Sequence, residues 1–426
     1  MREFSADIVV VGAGPAGVAA GCAAAECGKR VILLDENSTP GGQIWRQGRY
    51  PKPPPAARPW IERLRASGAE VHAGVAVVEA SGPHELFARD REGTVRYRAG
   101  ATVLATGARE LFLPFPGWTL PGVLGAGGLQ ALAKAGWPVA GKRVVVAGSG
   151  PLLLAVAAYL LRSGARVVAL VEQASRRALA AAAPAMVRHP AKLRQAFALG
   201  WSLRRVAKMH SSWPLRAEGT EAVEALVVRT PAGERRLPCD LVACGFGLVP
   251  ETMLASLLGA ELVDGAVWVA CDQETSVAGL YAAGELTGVG GVELALAEGL
   301  VAGNAAACNQ AAARRLESAR GQEATFARVL ERVFTLRSEL TALADADTVV
   351  CRCEDVSWAE VRDFADARDA KLKTRCGMGL CQGRVCGPAL RLMNGWGPDR
   401  VRPPLFPILT AALAEIGAAQ STEVQP

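Results

Sequence analysis

Ile8-Val9-Val10-Val11-Gly12-Ala13-Gly14-Pro15-Ala16-Gly17 decides the fold of this chain. Four β-branched residues read as a buried strand, the glycines as a turn, and the alanine-rich sequence after Pro15 as a helix. Gly12 permits the tight turn, Gly14 lets a pyrophosphate approach the backbone, and Gly17 lets helix and strand pack closely. The helix N-terminus, opened by Pro15 and Ala16, then points at negative charge. A second strand, residues 31–34, ends in Asp35 with Glu36 beside it. That spacing puts an acid about 20 residues past the turn, where the ribose of a dinucleotide needs an acceptor.

Later pieces of the chain narrow the choice of dinucleotide. Pro40-Gly41-Gly42-Gln43-Ile44 follows the acid, and Val103-Leu104-Ala105-Thr106-Gly107-Ala108-Arg109 reads as the strand and turn that come back to the cofactor. Thr275-Ser276-Val277-Ala278-Gly279-Leu280-Tyr281-Ala282-Ala283-Gly284-Glu285 resembles the second FAD motif of the pyridine-nucleotide disulfide oxidoreductase superfamily. The resemblance implies FAD, with Asp35 at the adenosine ribose and Glu285, where the superfamily usually has Asp, at the ribityl chain. Gly291 and Val292 open a helix whose amides would face the O2 side of the flavin ring.

The chain has 426 residues, half of them hydrophobic, enough for two or three cores. Its net charge of +6 reads as spread over acids and bases throughout, with no basic run interleaved with aromatics, so nucleic acid is not an expected partner. The N-terminus enters its first strand at once, and no apolar run reaches about 18 residues free of a charge or breaker. A cytoplasmic protein without a transmembrane segment is expected, peripheral attachment to the inner membrane being left open. The four histidines, His72, His84, His189 and His210, lie outside the flavin motifs and read as structural.

Gly141-Lys142-Arg143 begins a second unit of the same kind: strand 144–147, turn Gly148-Ser149-Gly150-Pro151, helix, strand 167–171, Glu172. Leu153 stands where the third glycine belongs, and a branched side chain there holds helix and strand apart. Glu172 would accept from a 2′-hydroxyl, whereas Arg176 and Arg177 suit a 2′-phosphate, so occupation by NAD(P) is doubtful. The expected architecture is α/β, with two interleaved Rossmann-like domains: FAD-binding over 1–115 and 270–315, and a degenerate NAD(P)-type domain over 116–269. A helical linker covers 316–345 and a small metal-binding domain 346–426.

Five of the eleven cysteines crowd between Cys351 and Cys386, which reads as a metal site. The other six, Cys22, Cys27, Cys239, Cys244, Cys271 and Cys308, are expected to act as small hydrophobes. None forms a Cys-x-x-Cys pair, so the redox disulfide of thioredoxin reductase has no counterpart. Cys351-Arg352-Cys353 offers two thiolates from an extended loop, and the glycine-rich run 376–386 offers the rest together with free amides. A helix is expected over 358–367. A [2Fe-2S] cluster is favoured over zinc, because a one-residue spacing strains a tetrahedral chelate. The region is similar to the bacterioferritin-associated ferredoxin domain, but its second pair departs from that family's Cys-x-x-Cys. The expected ligands are Cys351, Cys353, Cys381 and Cys386, with Cys376 in reserve, since Cys386-Gly387-Pro388 leads into a helix N-terminus.

Together with Gly-Phe-Gly-Leu-Val-Pro at 245–250 and Met-Gly-Leu-Cys-Gln-Gly-Arg-Val-Cys at 378–386, these features resemble the α subunits of hetero-oligomeric amino- and imino-acid dehydrogenases. D-hydroxyproline dehydrogenase, opine oxidases and hydrogen cyanide synthase belong to that group. The resemblance implies a partner β subunit, similar to sarcosine oxidase β and D-amino-acid oxidase, that oxidises a secondary amine. This chain would relay the electrons through flavin and cluster to an acceptor that is not named. Such assemblies also admit an FMN at the subunit interface and a small third subunit. Two alternatives stay open: a self-sufficient NAD(P)H-dependent flavin reductase, and a non-catalytic assembly protein with vestigial cofactors.

Overall fold

The computed structural model describes residues 1–46, 53–397 and 400–422. Residues 49–59, whose proline-rich and basic sequence reads as a surface loop, lie partly outside them; Arg58–Ser67 is already helical. The chain packs as two compact units. One comprises Met1–Arg109, Val249–Ala327 and Arg400–Pro426, the other Glu110–Leu248 and Arg328–Asp399.

In the first unit, strand β1 (Arg2–Val11) leads into helix α1 (Pro15–Glu26), and β2 (Val31–Asp35) follows. β3 (Glu70–Ala73) pairs in parallel with β2, while β4 (Ala76–Gly82), β5 (Glu85–Arg89) and β6 (Thr94–Leu104) form an antiparallel meander. Residues 70–97, whose alternating sequence with turns at Gly82-Pro83 and Glu92-Gly93 reads as a single meander of short strands, are thus divided. Gly74, at φ +72°, turns the chain between β3 and β4. β6 also pairs in parallel with β1, giving the order β3-β2-β1-β6-β5-β4.

The second unit is built on β7 (Val123–Gly125), β8 (Arg143–Gly148), helix α2 (Pro151–Arg162), β9 (Arg166–Glu172), helix α3 (Pro190–Ser202), β10 (Ala207–His210) and β11 (Leu241–Gly245). Its parallel sheet runs β10-β9-β8-β11-β7, beside a three-stranded antiparallel sheet over 213–238.

The chain re-enters the first sheet through β12 (Leu280–Ala282), parallel to β6, and continues into α4 (Val292–Ala306). A Cβ at Gly299 or Gly303 would stand 2.2 Å from the carbonyl oxygen of Ala16 or Ala20, so α4 meets α1 backbone to backbone. Helix α5 (Gln310–Val333) occupies most of the expected linker, and the boundary between units falls within it.

The cysteine region consists of β13 (Val349–Cys351), α6 (Trp358–Val361), α7 (Ala367–Thr374) and α8 (Cys386–Asn394). The single helix expected over 358–367 is instead two. Ser357 and Glu360 form a capping box on α6, and the Asp366 side chain accepts the Asp369 amide to start α7. Val350, Val356, Val361, Ala370, Leu390 and Trp396 make its small apolar core. The C-terminal segment, expected to stay with this region, packs in the first unit. There the Leu405 amide donates to the Val78 carbonyl at 2.7 Å, and Ile416 of α9 (Thr410–Thr422) is buried against Val78 and Phe87. Those apolar residues of β4 and β5 need a cover. Of the six cysteines outside the cluster, Cys22, Cys239 and Cys244 are buried and Cys27 is half-buried. Cys271 and Cys308 lie exposed in turns, contrary to the apolar role expected of them. Among the described residues no helix is long and apolar enough to cross a membrane.

Candidate functional site

The three glycines of the first turn do different work. Gly12 has φ +103°, and a Cβ on it would lie 2.3 Å from the Ala105 carbonyl oxygen; a Cβ on Gly17 would lie 1.8 Å from the Gly12 oxygen. The fold itself therefore demands glycine at both positions. Gly14 has φ −72°, and its Cβ would meet nothing nearer than the Gly42 Cα at 3.9 Å. Neither backbone nor packing requires glycine there, and the space in front of it suits a ligand. The loop after β2 lies against the turn: the Gly41 amide donates to the Ala13 carbonyl at 2.7 Å, and a Cβ on Gly42 would be 2.9 Å from Gly14 Cα. Gln43 is exposed and accepts from Arg46.

Asp35 is buried, and its carboxylate is largely engaged. Oδ2 accepts the Ala13 amide at 2.7 Å, while Oδ1 accepts both the backbone and the side-chain amide of Asn37 at 2.7 Å. It braces the glycine turn on the end of β2, and of about four lone-pair positions one is left. Glu36, next in the chain, is exposed. On the return strand the Ala105 amide donates to the Val11 carbonyl at 2.8 Å, the Thr106 hydroxyl to the Glu251 carbonyl at 2.7 Å, and the Glu251 amide to the Gly107 carbonyl at 2.9 Å.

Glu285 sits in the second flavin-type motif, its Oε1 accepting the Gly291 amide at 2.8 Å at the start of α4. Its Oε2 is buried with no hydrogen-bond partner among the described residues, and burial pushes the carboxyl above the usual carboxylate range. An orphaned buried carboxylate oxygen is costly unless a ligand donor reaches it. A ribityl hydroxyl is such a donor, so the residues present fit FAD. Behind Glu285 lies Glu298, which the motif reading missed. It accepts from the Gly284 amide and the Thr287 hydroxyl, both at 2.8 Å, and burial pushes it up to about 7. A lone acid in the apolar run 294–302 is the signal that could have found it.

The second turn has the same plan with a different outcome. Glu172 accepts the Gly150 and Ala174 amides, each at 2.9 Å, and burial pushes it up to about 7. The amide that would face a phosphate is thereby spent on the protein. Ser149 donates to the Phe334 carbonyl at 3.3 Å and Gln173 Nε2 to the Thr335 carbonyl at 3.1 Å, so the segment after α5 lies on this turn. Leu153 is buried in the core of the unit. Arg176 and Arg177 are exposed.

In the cysteine region the Sγ atoms of Cys351, Cys376 and Cys386 all lie within 4.8 Å of one another, and all three residues are buried. Cys353 is exposed and neighbours the backbone and thiol of Cys381. The buried group is thus not the expected set: Cys376 joins Cys351 and Cys386, while Cys353 and Cys381 pair nearer to solvent. The cause is local. Arg375 ends α7 in the left-handed region, at φ 65°, and turns Cys376 inward, whereas β13 ends at Cys351 and a turn carries Cys353 outward. Hydrogen bonds from the Cys376 and Cys386 thiols, with one from the Gly377 amide at 3.4 Å, hold the Cys351 thiol well below its ordinary range. A Cβ on Gly379 would fall 2.3 Å from Cys353 Cβ, so this loop needs its glycine to close on the thiols. The donor set is soft and sulfur-only, which suits iron–sulfur or zinc chemistry.

A doubly wound unit with open space before Gly14 and an unsatisfied acid in its second motif defines a nucleotide-dependent redox protein. The chain belongs to the pyridine nucleotide-disulphide oxidoreductase family, flavin-dependent oxidoreductases whose family model matches residues 6–306. Along nearly its whole length it is similar to an opine oxidase subunit of Rhizobium meliloti (strain 1021). The two are 32% identical over 452 residues, which cover 96% of this chain and 98% of that one. It is 31% identical to hydrogen cyanide synthase subunit HcnB of Pseudomonas aeruginosa, again over 96% and 98% of the two chains. The fold matches the crystal structure of L-proline dehydrogenase from P. horikoshii at a TM-score of 0.66 and 18% identity, over 97% of this chain and 80% of that one.

Proposed function

We propose that this chain is the electron-relaying component of a hetero-oligomeric dehydrogenase that oxidises a D-amino acid, imino acid or opine-type secondary amine. The amine is oxidised on a partner β subunit similar to sarcosine oxidase β and D-amino-acid oxidase. The observation that carries the reading is the end-to-end likeness to the opine oxidase subunit of Rhizobium meliloti. D-hydroxyproline is one substrate of this class, and the cytoplasm is the proposed compartment.

FAD would supply a two-electron redox centre that a one-electron cluster can discharge stepwise. Gly12, Gly14, Pro15, Ala16 and Gly17 would present the α1 N-terminus to its pyrophosphate, with Gly42 and Gln43 opposite. Since Asp35 already braces the turn, Glu36 would take the ribose. Ala105, Thr106 and Gly107, with Gly284, would line the return side. Glu285 would accept from the ribityl chain, and Gly291 and Val292 would present the α4 N-terminus to the ring. A [2Fe-2S] cluster needs two thiolates per iron. Cys351 with Cys386 and Cys353 with Cys381 would supply the two pairs, leaving Cys376 as a buried neighbour that donates to sulfur.

The same reading disfavours a self-sufficient NAD(P)H reductase, because Glu172 and the 334–335 segment spend the polar groups a nicotinamide dinucleotide would need. The chain purified alone should be yellow, should stay oxidised in the presence of amino acids, and should be reduced only slowly by NADH or NADPH. Rapid reduction by NADPH without a partner would overturn the proposal in favour of the reductase, and a colourless protein would favour a vestigial assembly role.

A further inference from the structure

The crossover between β9 and β10 carries helices that lie on the surface of the second unit. Its three helices, Arg176–Ala181, Ala183–Arg188 and α3, contain no buried residue. On α3 the large side chains Leu193, Phe197 and Trp201 recur at every fourth position, forming one exposed stripe. Phe197 is 75% and Trp201 64% exposed. Pro190, Arg194 and Ala198 flank them along a shallow groove. Contiguous exposed apolar surface of this kind marks an interaction site.

Charge, expected to be spread evenly, is uneven here. Residues 173–217 hold nine Lys and Arg and no Asp or Glu, in a chain whose net charge is +6. Arg194 lines the groove and the Arg204 guanidinium stands over the Trp201 ring, 4.8 Å from its centroid, while Arg188, Arg205 and Lys208 of the same acid-free segment are exposed.

We propose that α3 is a membrane-surface helix. It lies in the plane of an anionic bilayer, with Leu193, Phe197 and Trp201 in the headgroup–acyl boundary and the surrounding Arg and Lys on lipid phosphates. Lipid fits better than an acidic protein. A run of 45 residues without one acid answers a fluid sheet of negative charge, which needs no matched positions, and an aromatic at the boundary with flanking Arg is the composition that interface selects.

The test is co-sedimentation of the full chain with vesicles of phosphatidylcholine alone or of mainly phosphatidylglycerol. Binding is expected only to the anionic vesicles and should fall as salt is raised. Arg204→Gln and Arg205→Gln should each weaken it roughly five-fold, the share of one basic residue near the surface. Phe197→Asp should abolish it with thermal stability unchanged, since that side chain is 75% exposed. Equal binding to both vesicle types, no binding to the anionic vesicles, or unaltered binding by Phe197→Asp would each overturn the proposal, and disruption of a complex with another protein by Phe197→Asp in the absence of vesicle binding would assign the stripe to that partner instead.

Discussion

Gly14→Val separates the ligand site from the fold. A Cβ at Gly14 meets only the Gly42 Cα, at 3.9 Å, and φ −72° suits any residue. The cost to the cofactor-free protein is the poorer helix N-cap, about 1 kcal/mol. For a cooperative unit of this size that lowers Tm by about 2–4 °C. FAD at about 100 times its Kd should stabilise the parent by about 2.7 kcal/mol, or roughly 5–11 °C. In the variant the side chain fills the space before the turn, so the shift should vanish and the protein should purify without yellow colour. Gly12→Ala is the contrast. Its Cβ would sit 2.3 Å from a carbonyl oxygen on a backbone at φ +103°, so it should lose folded protein as well. Thermal melts with and without FAD, together with flavin absorbance, measure both effects. A Gly14→Val protein with full FAD content, or one as unstable as Gly12→Ala, would refute the assignment.

Anaerobically purified protein should carry about two irons and two sulfides per chain. Cys376→Ser should keep them and Cys386→Ser should lose them; zinc without sulfide, or loss confined to Cys376→Ser, would contradict the paired-thiol arrangement. Glu172 and Glu298 are both held near 7, above their ordinary 4.5, so the native state keeps protons that the unfolded chain releases. Their contribution to stability is whole below about 4.5 and is lost as pH rises through about 7. Glu298→Gln should accordingly raise the urea midpoint at pH 8, by at most about 3 kcal/mol in stability, and change little at pH 4; an equal effect at both values would refute the burial argument. NADH and NADPH should leave Tm unchanged in a Gly14→Val protein, because Ser149, Gln173 and Glu172 are bonded to the chain itself; a shift of several degrees would show an open second site.

The parallel sheets were legible because a glycine-rich turn between an apolar strand and an alanine-rich helix has few other physical solutions. Both 8–17 and 144–151 read as they fold. What the turn's acids do was not legible. Asp35 and Glu172 each follow their turn at the spacing of a ribose acceptor, yet both face inward onto loop amides, a choice set by backbone geometry that spacing does not encode. Glu298 escaped because it belongs to no motif and acts through Gly284 and Thr287. In the cysteine region the sequence marks five thiols, but which three meet depends on a left-handed Arg375 and on where β13 ends. The segment 400–422 went astray because only the folded sheet reveals that Val78 and Phe87 need a cover.

The central claim, that this chain receives electrons from a partner that oxidises the amine, is tested most directly by anaerobic mixing. The chain, loaded with FAD and iron, is combined with its β subunit plus a D-imino acid or opine, and absorbance and paramagnetic resonance are followed together. Bleaching of the flavin accompanied by the signal of a reduced cluster, with neither change when the β subunit is omitted, is the expected result. Substrate-driven bleaching by this chain alone, or bleaching in the mixture with a silent cluster, would contradict it.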